Sequence, residues 1–502
     1  MNPARRVSPG LFLALAIAAG AAQAAGMGAE DARHLLNRTG FHARLDQIDD
    51  FAKLSRREAV ERVLGNVRQE ARTRPPEWVG DWQSPRRFRQ MGAEERKLFQ
   101  RQLIERGLEL KGWWLTEMLT TGSPLTERMT LFWHNHFTSS LQKVRSPVLM
   151  YRQNLLLRRH ALGSFAELLH AASKDPAMLV YLDSATNRRG QPNENFAREV
   201  MELFTLGEGH YAEEDIKEAA RAFTGWSVDP ESGEFVFRPL AHDDGVKSVL
   251  GKSGNWRGED VLDMLLARPE TARFVAAKLW KEFVSPAAAS DAEKRELERA
   301  ARALRESGYS IRAALSELLL AEAFWAPANR GSLIKSPADL VVGTLRQFDV
   351  DFPDPLPFAL LMRQLGQDLF APPNVKGWPG GEAWISSQTL LARKQFLERL
   401  FRVDEARMTP AAEREPEMAA AQPASQAAGQ PALQPFARRF MRAMLDIKFS
   451  AHDWFRPFQG REMPATLQTV LLPAAPANEG ALAGQGMDML RALIADPVYQ
   501  LK

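Results

Sequence analysis

"LFWHNHFTSS", residues Leu131 to Ser140, sets two histidines one residue apart among aromatics and then runs into hydroxyls. On a strand, residues two apart share a face; on a helix they diverge by about 200°. The surrounding sequence decides between these. Ser123-Pro124 reads as an N-cap followed by proline at the first helical position. From there Leu125, Met129, Phe132, Trp133 and His136 recur at helical spacing, and "TLFWHNHF" does not alternate. The stretch is a helix. His136 then shares the buried face with Met129, Phe132 and Trp133, while His134 lies on the other face with Glu127 and Thr130. His136 reads either as a core imidazole with both nitrogens satisfied, or as a functional group that needs a polar partner from another element.

A candidate partner lies in "QPNENFAREVMELFTLGEGHYAEEDIKEAARAFTGW", Gln191 to Trp226. Its first helix carries Phe196, Val200, Leu203 and Phe204 on the apolar side, with Asn195, Glu199 and Glu202 as a polar stripe. Arg198 can pair with Glu202 at i+4. Gly207 and Gly209 close the helix. A second helix opens with Glu213, Glu214 and Asp215, where the helix dipole favours acids. The stripe reads as acid–base or ligand groups, or equally as an Arg–Glu brace between helices.

Helical periodicity continues over most of the chain, including Pro147 to Ala172, Pro269 to Val284, Asp291 to Ser307 and Ile311 to Ala323. One β signal, Trp226 to Pro239, reads as two short strands about a Pro-Glu-Ser-Gly turn. The expected fold is mainly α: one large multi-helix body over 25–404 with a small β-hairpin insertion at 226–239. An Ala/Pro/Gln-rich disordered loop over 405–435 and C-terminal helices over 436–502 that dock back on the body complete it.

The first 24 residues read as a signal peptide: Arg5 and Arg6, then the apolar run Leu11 to Ala22, then a small-x-small site. The expectation is an exported protein, periplasmic or secreted, with no membrane span in the mature chain. Its formal charge of +3 falls to +1 with the two leader arginines removed. Near-neutral overall charge gives no electrostatic reason to expect nucleic acid or an anionic membrane as a partner. With no cysteine in the chain, disulfides, thiol nucleophiles and thiolate metal sites are excluded.

Two further constellations carry polar chemistry. "AHDDGVKSVLG" is a tight turn in which Asp244-Gly245 is explained by turn chemistry, and His242 and Asp243 are not. "APPNVKGWPGGEAWISSQ" is a loop made rigid by proline and glycine, in which Asn374, Lys376, Trp378 and Trp384 could line a pocket mouth. Indole rings there would suit a saccharide; the alternative is that both tryptophans plug a helical core.

These blocks also carry a resemblance. "RMTLFWHNHFTSS", "NENFAREVMELFTLGEGHYAEEDIKEAARAFTGW", "HDDGVK", "LIKSPADLVVGTLR" and "PPNVKGWPGGEAWISSQTLLAR" together resemble the bacterial family known as domain of unknown function 1800, in the family's order, through to the final "DPVYQLK". The resemblance implies an exported protein often encoded beside a sulfatase-like or alkaline-phosphatase-like protein. Ala212 departs from the family's usual Thr or Ser at that helix N-cap.

Two functions follow as expectations. The first is a metal- or carboxylate-assisted hydrolase acting on an envelope or extracellular polymer. There Glu199, Glu202, His134 and Arg198 would be catalytic, and His136, His242 and Asp243 metal ligands. Asn195, Asn374, Lys376, Trp378 and Trp384 would bind substrate. An all-His/carboxylate set suits Zn²⁺, Mn²⁺ or Fe²⁺. The second is a non-catalytic saccharide-binding or assembly module working with the sulfatase/phosphatase-like partner. Convergence of Glu199, Glu202, His136 and His242 on one point would favour the enzyme, and an open aromatic surface the module.

Overall fold

A computed structural model describes residues 26–408 and 447–502, with side chains described to 401 and from 447. The expected leader and most of the expected 405–435 loop lie outside the described residues. The helix Ser387–Met408 runs into the start of that loop.

The described chain is mainly α, as its periodicity indicates. Ten helices fix the architecture: α1 (Ala29–Thr39), α2 (Ala93–Thr120), α3 (Pro124–His136), α4 (Pro147–Arg159), α5 (Glu194–Glu199), α6 (Glu213–Ala222), α7 (Pro269–Phe283), α8 (Asp291–Glu306), α9 (Ile311–Leu320) and α10 (Pro337–Gln347). Contacts pair α3 with α4, α5 with α6, α7 with α8, α8 with α9, and α10 with α2. Buried apolar side chains from Ala32 to Tyr499 join in a single cluster, so the helices share one core. No described helix is long and apolar enough to cross a membrane.

Helix α3 runs through that core, and its second face is not outward. His134, Glu127 and Thr130 are buried as fully as Met129 and Trp133. The reason is that partners from distant segments neutralise the polar face. Arg158 of α4 grips Glu127 through Nε and Nη2 at 2.6 and 2.8 Å, and the Trp114 indole donates to the same carboxylate at 3.0 Å. Arg128 faces the other way, to the Gly40 carbonyl, Glu282 and Asp339. Lys502 joins Asp339 at 2.7 Å. The expected N-cap bond of Ser123 is absent: its hydroxyl meets the Asn66 carbonyl and Thr126 Oγ1 instead.

The expected hairpin is present, β1 (Trp226–Val228) pairing with β2 (Phe235–Phe237) with Ser227 opposite Val236. A second hairpin, β3 (Lys247–Val249) with β4 (Lys252–Gly254), follows the His-Asp-Asp-Gly turn. Its two-residue turn is Leu250-Gly251, both at positive φ.

Candidate functional site

The two histidines of α3 point apart, as their spacing requires, and reach different neighbours. His134 stands among the rings of Trp114, Phe370 and Trp378, each 5.5 or 5.6 Å from it. Neither ring nitrogen meets a hydrogen-bond partner, and burial pushes its pKa down to about 3. Enclosed by aromatic rings, His134 has no path to a substrate, which removes the expected catalytic role.

His136 binds through both nitrogens: Nδ1 lies 3.1 Å from Lys278 Nζ, and Nε2 lies 3.2 Å from the Phe204 carbonyl. With the lysine donating to Nδ1, Nε2 carries the ring proton and donates to that carbonyl. Lys278 also donates to the Leu203 carbonyl at 3.0 Å. Helix α5 continues into a π turn, Val200–Thr205, so both carbonyls sit at a helix end where the backbone leaves them unpaired. Burial, then the charge of Lys281, brings the Lys278 pKa down to about 8. An ammonium beside Nδ1 and a carbonyl at Nε2 leave this imidazole no free nitrogen for a cation.

The histidine helix and the Asn-Glu-Asn-Phe helix therefore meet, but through backbone carbonyls rather than through the carboxylates. Glu199 is half-buried, and burial followed by the nearby charge of Glu202 raises its pKa. Glu202 accepts from the Tyr211 hydroxyl at 2.9 Å. Arg198 does not take the expected i+4 partner: it clamps Glu213 at 2.7 and 2.8 Å and reaches Glu194 at 3.4 Å. It braces α5 on α6. Asn195 is exposed.

The His-Asp-Asp-Gly turn packs on the far end of α6. His242 Nδ1 lies 2.9 Å from the Thr224 carbonyl, and the buried Nε2 is unpartnered. Asp243 is held by Arg221, at 2.8 Å to its Nε, which pulls the carboxyl pKa down to about 2. So His136, His242 and Asp243 are committed separately, and no three His, Asp or Glu side chains among the described residues group as metal ligands.

The glycine–tryptophan loop closes over α3. Asn135 Oδ1 accepts from the Trp378 amide at 2.6 Å. Trp378 and Trp384 are both buried, so neither offers an open face to a sugar ring. Asn374 is spent on its own turn, accepting from the Lys376 amide at 2.9 Å. Lys376 is exposed, 3.8 Å from Glu208, and its charge opposes the rise in the Glu199 pKa.

A concavity opens elsewhere, where sequence reasoning placed no site. A groove of about 810 Å³ runs between the exposed N-terminal half of α2 and residues 141–149. Trp82, Phe88, Phe99, Leu103, Ile104, Leu141 and Val148 line it, and Ile104 is 63% exposed. Ion pairs Arg106–Asp81, at 2.9 Å, and Lys111–Asp368 use up most of its charge. The one available signal was the set of apolar residues on this half of α2, Leu98, Phe99, Leu103 and Ile104, which helical spacing assigns to a core. In the fold that half of the helix lies outside the core.

No curated protein and no solved structure matches this chain. A family model described as "Protein of unknown function (DUF1800)" matches residues 34–501, and the chain belongs to that family.

Proposed function

We propose that the protein is a binding module whose apolar groove receives a nonpolar-faced segment of a partner polypeptide. The observation that carries this is the groove itself: a large concavity, lined by aromatic and aliphatic side chains, with Ile104 left open to solvent. Exposed apolar surface gathered in a concavity gains free energy when covered, at about 25 cal/mol per Å². The two buried tryptophans of the glycine–tryptophan loop cannot serve as a platform for a sugar ring. The partner class suggested by the family resemblance, a sulfatase- or phosphatase-like protein met after export, is the first candidate.

The test is titration with N-phenyl-1-naphthylamine, a neutral apolar fluorophore, on the wild type and on Ile104→Glu. The reading expects saturable fluorescence enhancement that Ile104→Glu abolishes while the melting temperature holds. Equal enhancement by both proteins would place the apolar surface elsewhere and sink the reading.

A second reading keeps the carboxylates. Glu199, its pKa raised by burial, stands near Glu202, which accepts a hydrogen bond from the Tyr211 hydroxyl. Two acids in unequal surroundings are the arrangement of a general acid beside a base. Loss of hydrolysis of an envelope polymer in Glu199→Gln, with the fold retained, would favour it over the binding reading; unchanged turnover would end it.

A further inference from the structure

Just after β2, at the end of the first hairpin opposite its own turn, the tight turn Pro239–Ala241 carries Leu240, which is 99% exposed. It is not a loose end. The amides of Ala241 and His242 bond back to the Arg238 and Pro239 carbonyls, both at 3.0 Å, and the Arg189 amide bonds to the Ala241 carbonyl at 2.7 Å. The proline adds its fixed φ. An apolar side chain is thus held rigidly in water.

Around its base lies a shallow hollow of about 680 Å³, lined by Arg188, Arg189, Arg238 and Phe237, with no Asp or Glu in the lining. The arginines here differ from their neighbours. Arg152, Arg198, Arg221 and Arg268 each pair with a carboxylate within 3.4 Å. Among the described residues, none of the three lining arginines does so; Arg188 bonds only the Gln191 amide oxygen, at 2.7 Å. A fourth guanidinium, Arg257, stacks 5.4 Å from the Phe237 ring centroid.

We propose that this turn docks the protein on an anionic lipid surface, with Leu240 entering the headgroup layer and the arginines taking headgroup phosphates. Guanidinium forks fit phosphate oxygens. A single projecting leucine suits a fluid interface, which adapts to it, better than a protein partner, which would need a matching hole. The near-neutral charge of the whole chain does not oppose this, because attraction acts over about a Debye length and is local.

The experiment is co-sedimentation of the full chain with phosphatidylcholine vesicles, with and without phosphatidylglycerol. The proposal expects binding only to the anionic vesicles, weakened by salt. The double variant Arg189→Gln, Arg238→Gln should weaken it by more than roughly ten-fold, since each surface arginine supplies about a five-fold gain. Leu240→Ser should weaken it with every charge retained. All three positions are solvent-exposed, and unchanged melting confirms that the fold survives. Equal binding to neutral vesicles, or anionic binding that neither variant alters, overturns the proposal. So does arginine-dependent binding of inorganic phosphate or an acidic peptide without vesicle binding, which would reassign the hollow to a soluble anion.

Discussion

Asn135 holds the Trp378 amide at 2.6 Å, and the residue before that tryptophan, Gly377, lies directly against the same asparagine side chain at φ 84°. One residue of the histidine stretch, placed between the two imidazoles, therefore anchors the loop that encloses one of them. A Cβ at 377 would meet both the side chain and the backbone of Asn135. Gly377→Ala should cost roughly 2–4 kcal/mol, combining positive-φ strain with that overlap. Asn135→Ala should cost about 1–3 kcal/mol by leaving a buried amide unmet. Urea unfolding checks both, and losses below about 0.5 kcal/mol, the ordinary scatter of surface changes, would dismiss the anchor.

The two histidines should respond oppositely to removal of their nitrogens. His134 has no polar partner, so His134→Phe should be neutral or stabilising within about 1 kcal/mol. His136→Phe strands the Phe204 carbonyl and Lys278, and should cost about 1–3 kcal/mol or more. Thermal melts of the pair decide this; a severe loss in His134→Phe would mean that its nitrogens bind something essential.

Acid should weaken the fold through these rings. The His134 pKa is about 3 in the fold, below its ordinary 6.5, and burial holds that of His136 well below 6.5 too. The unfolded chain takes up these protons first. Their contribution to stability is therefore full above pH 6.5 and lost as pH falls below it, by about 1.4 kcal/mol per unit for each ring. Stability measured between pH 7.5 and 4.5 should fall less steeply in His134→Phe than in wild type. Parallel profiles would show that His134 titrates normally.

Asp175 should show the reverse dependence. It is buried with Gln153 and the Met178 amide as partners and no cation, and burial raises its pKa to about 7. The folded state favours the protonated carboxyl, so this group's contribution is full below pH 3.8 and lost as pH rises through 7. The stability of Asp175→Asn relative to wild type should therefore improve between pH 5 and pH 8. A difference independent of pH would show an ordinary carboxylate.

The buried Glu127–Arg158 pair should be costly to break. Arg158→Met leaves Glu127 charged and enclosed, with only the Trp114 indole, and should cost about 3–5 kcal/mol. Replacement of both partners by apolar residues should recover much of that loss; if it does not, packing rather than charge is what Arg158 supplies.

Local rules made the helices and the first hairpin legible. Proline at the start of α3, the apolar spacing that follows it, and turn residues between Trp226 and Pro239 each act within a few positions. Periodicity leaves the burial of the second face of α3 undecided, because what makes Glu127 and His134 internal comes from elsewhere: Arg158, 31 positions on, and the rings of Phe370 and Trp378. Periodicity reports polarity, and a polar residue buried by a distant partner looks the same as an exposed one. Arg198 shows the same limit, since Glu202 at i+4 and Glu213 at the start of the next helix are equally available to it on paper. The π turn left no mark in composition. The second hairpin was hidden because leucine, rather than Asn or Asp, takes the first positive-φ position of its turn.

Site-specific photo-crosslinking in the producing cell shows whether the groove over α2 is the working surface. A benzophenone amino acid at Ile104 should give a discrete adduct with one polypeptide, and Val148→Glu on the opposite wall should remove it. The same probe at Leu390, an exposed leucine outside the groove, should give none. No adduct at Ile104, or the same adducts from Leu390, would contradict the claim.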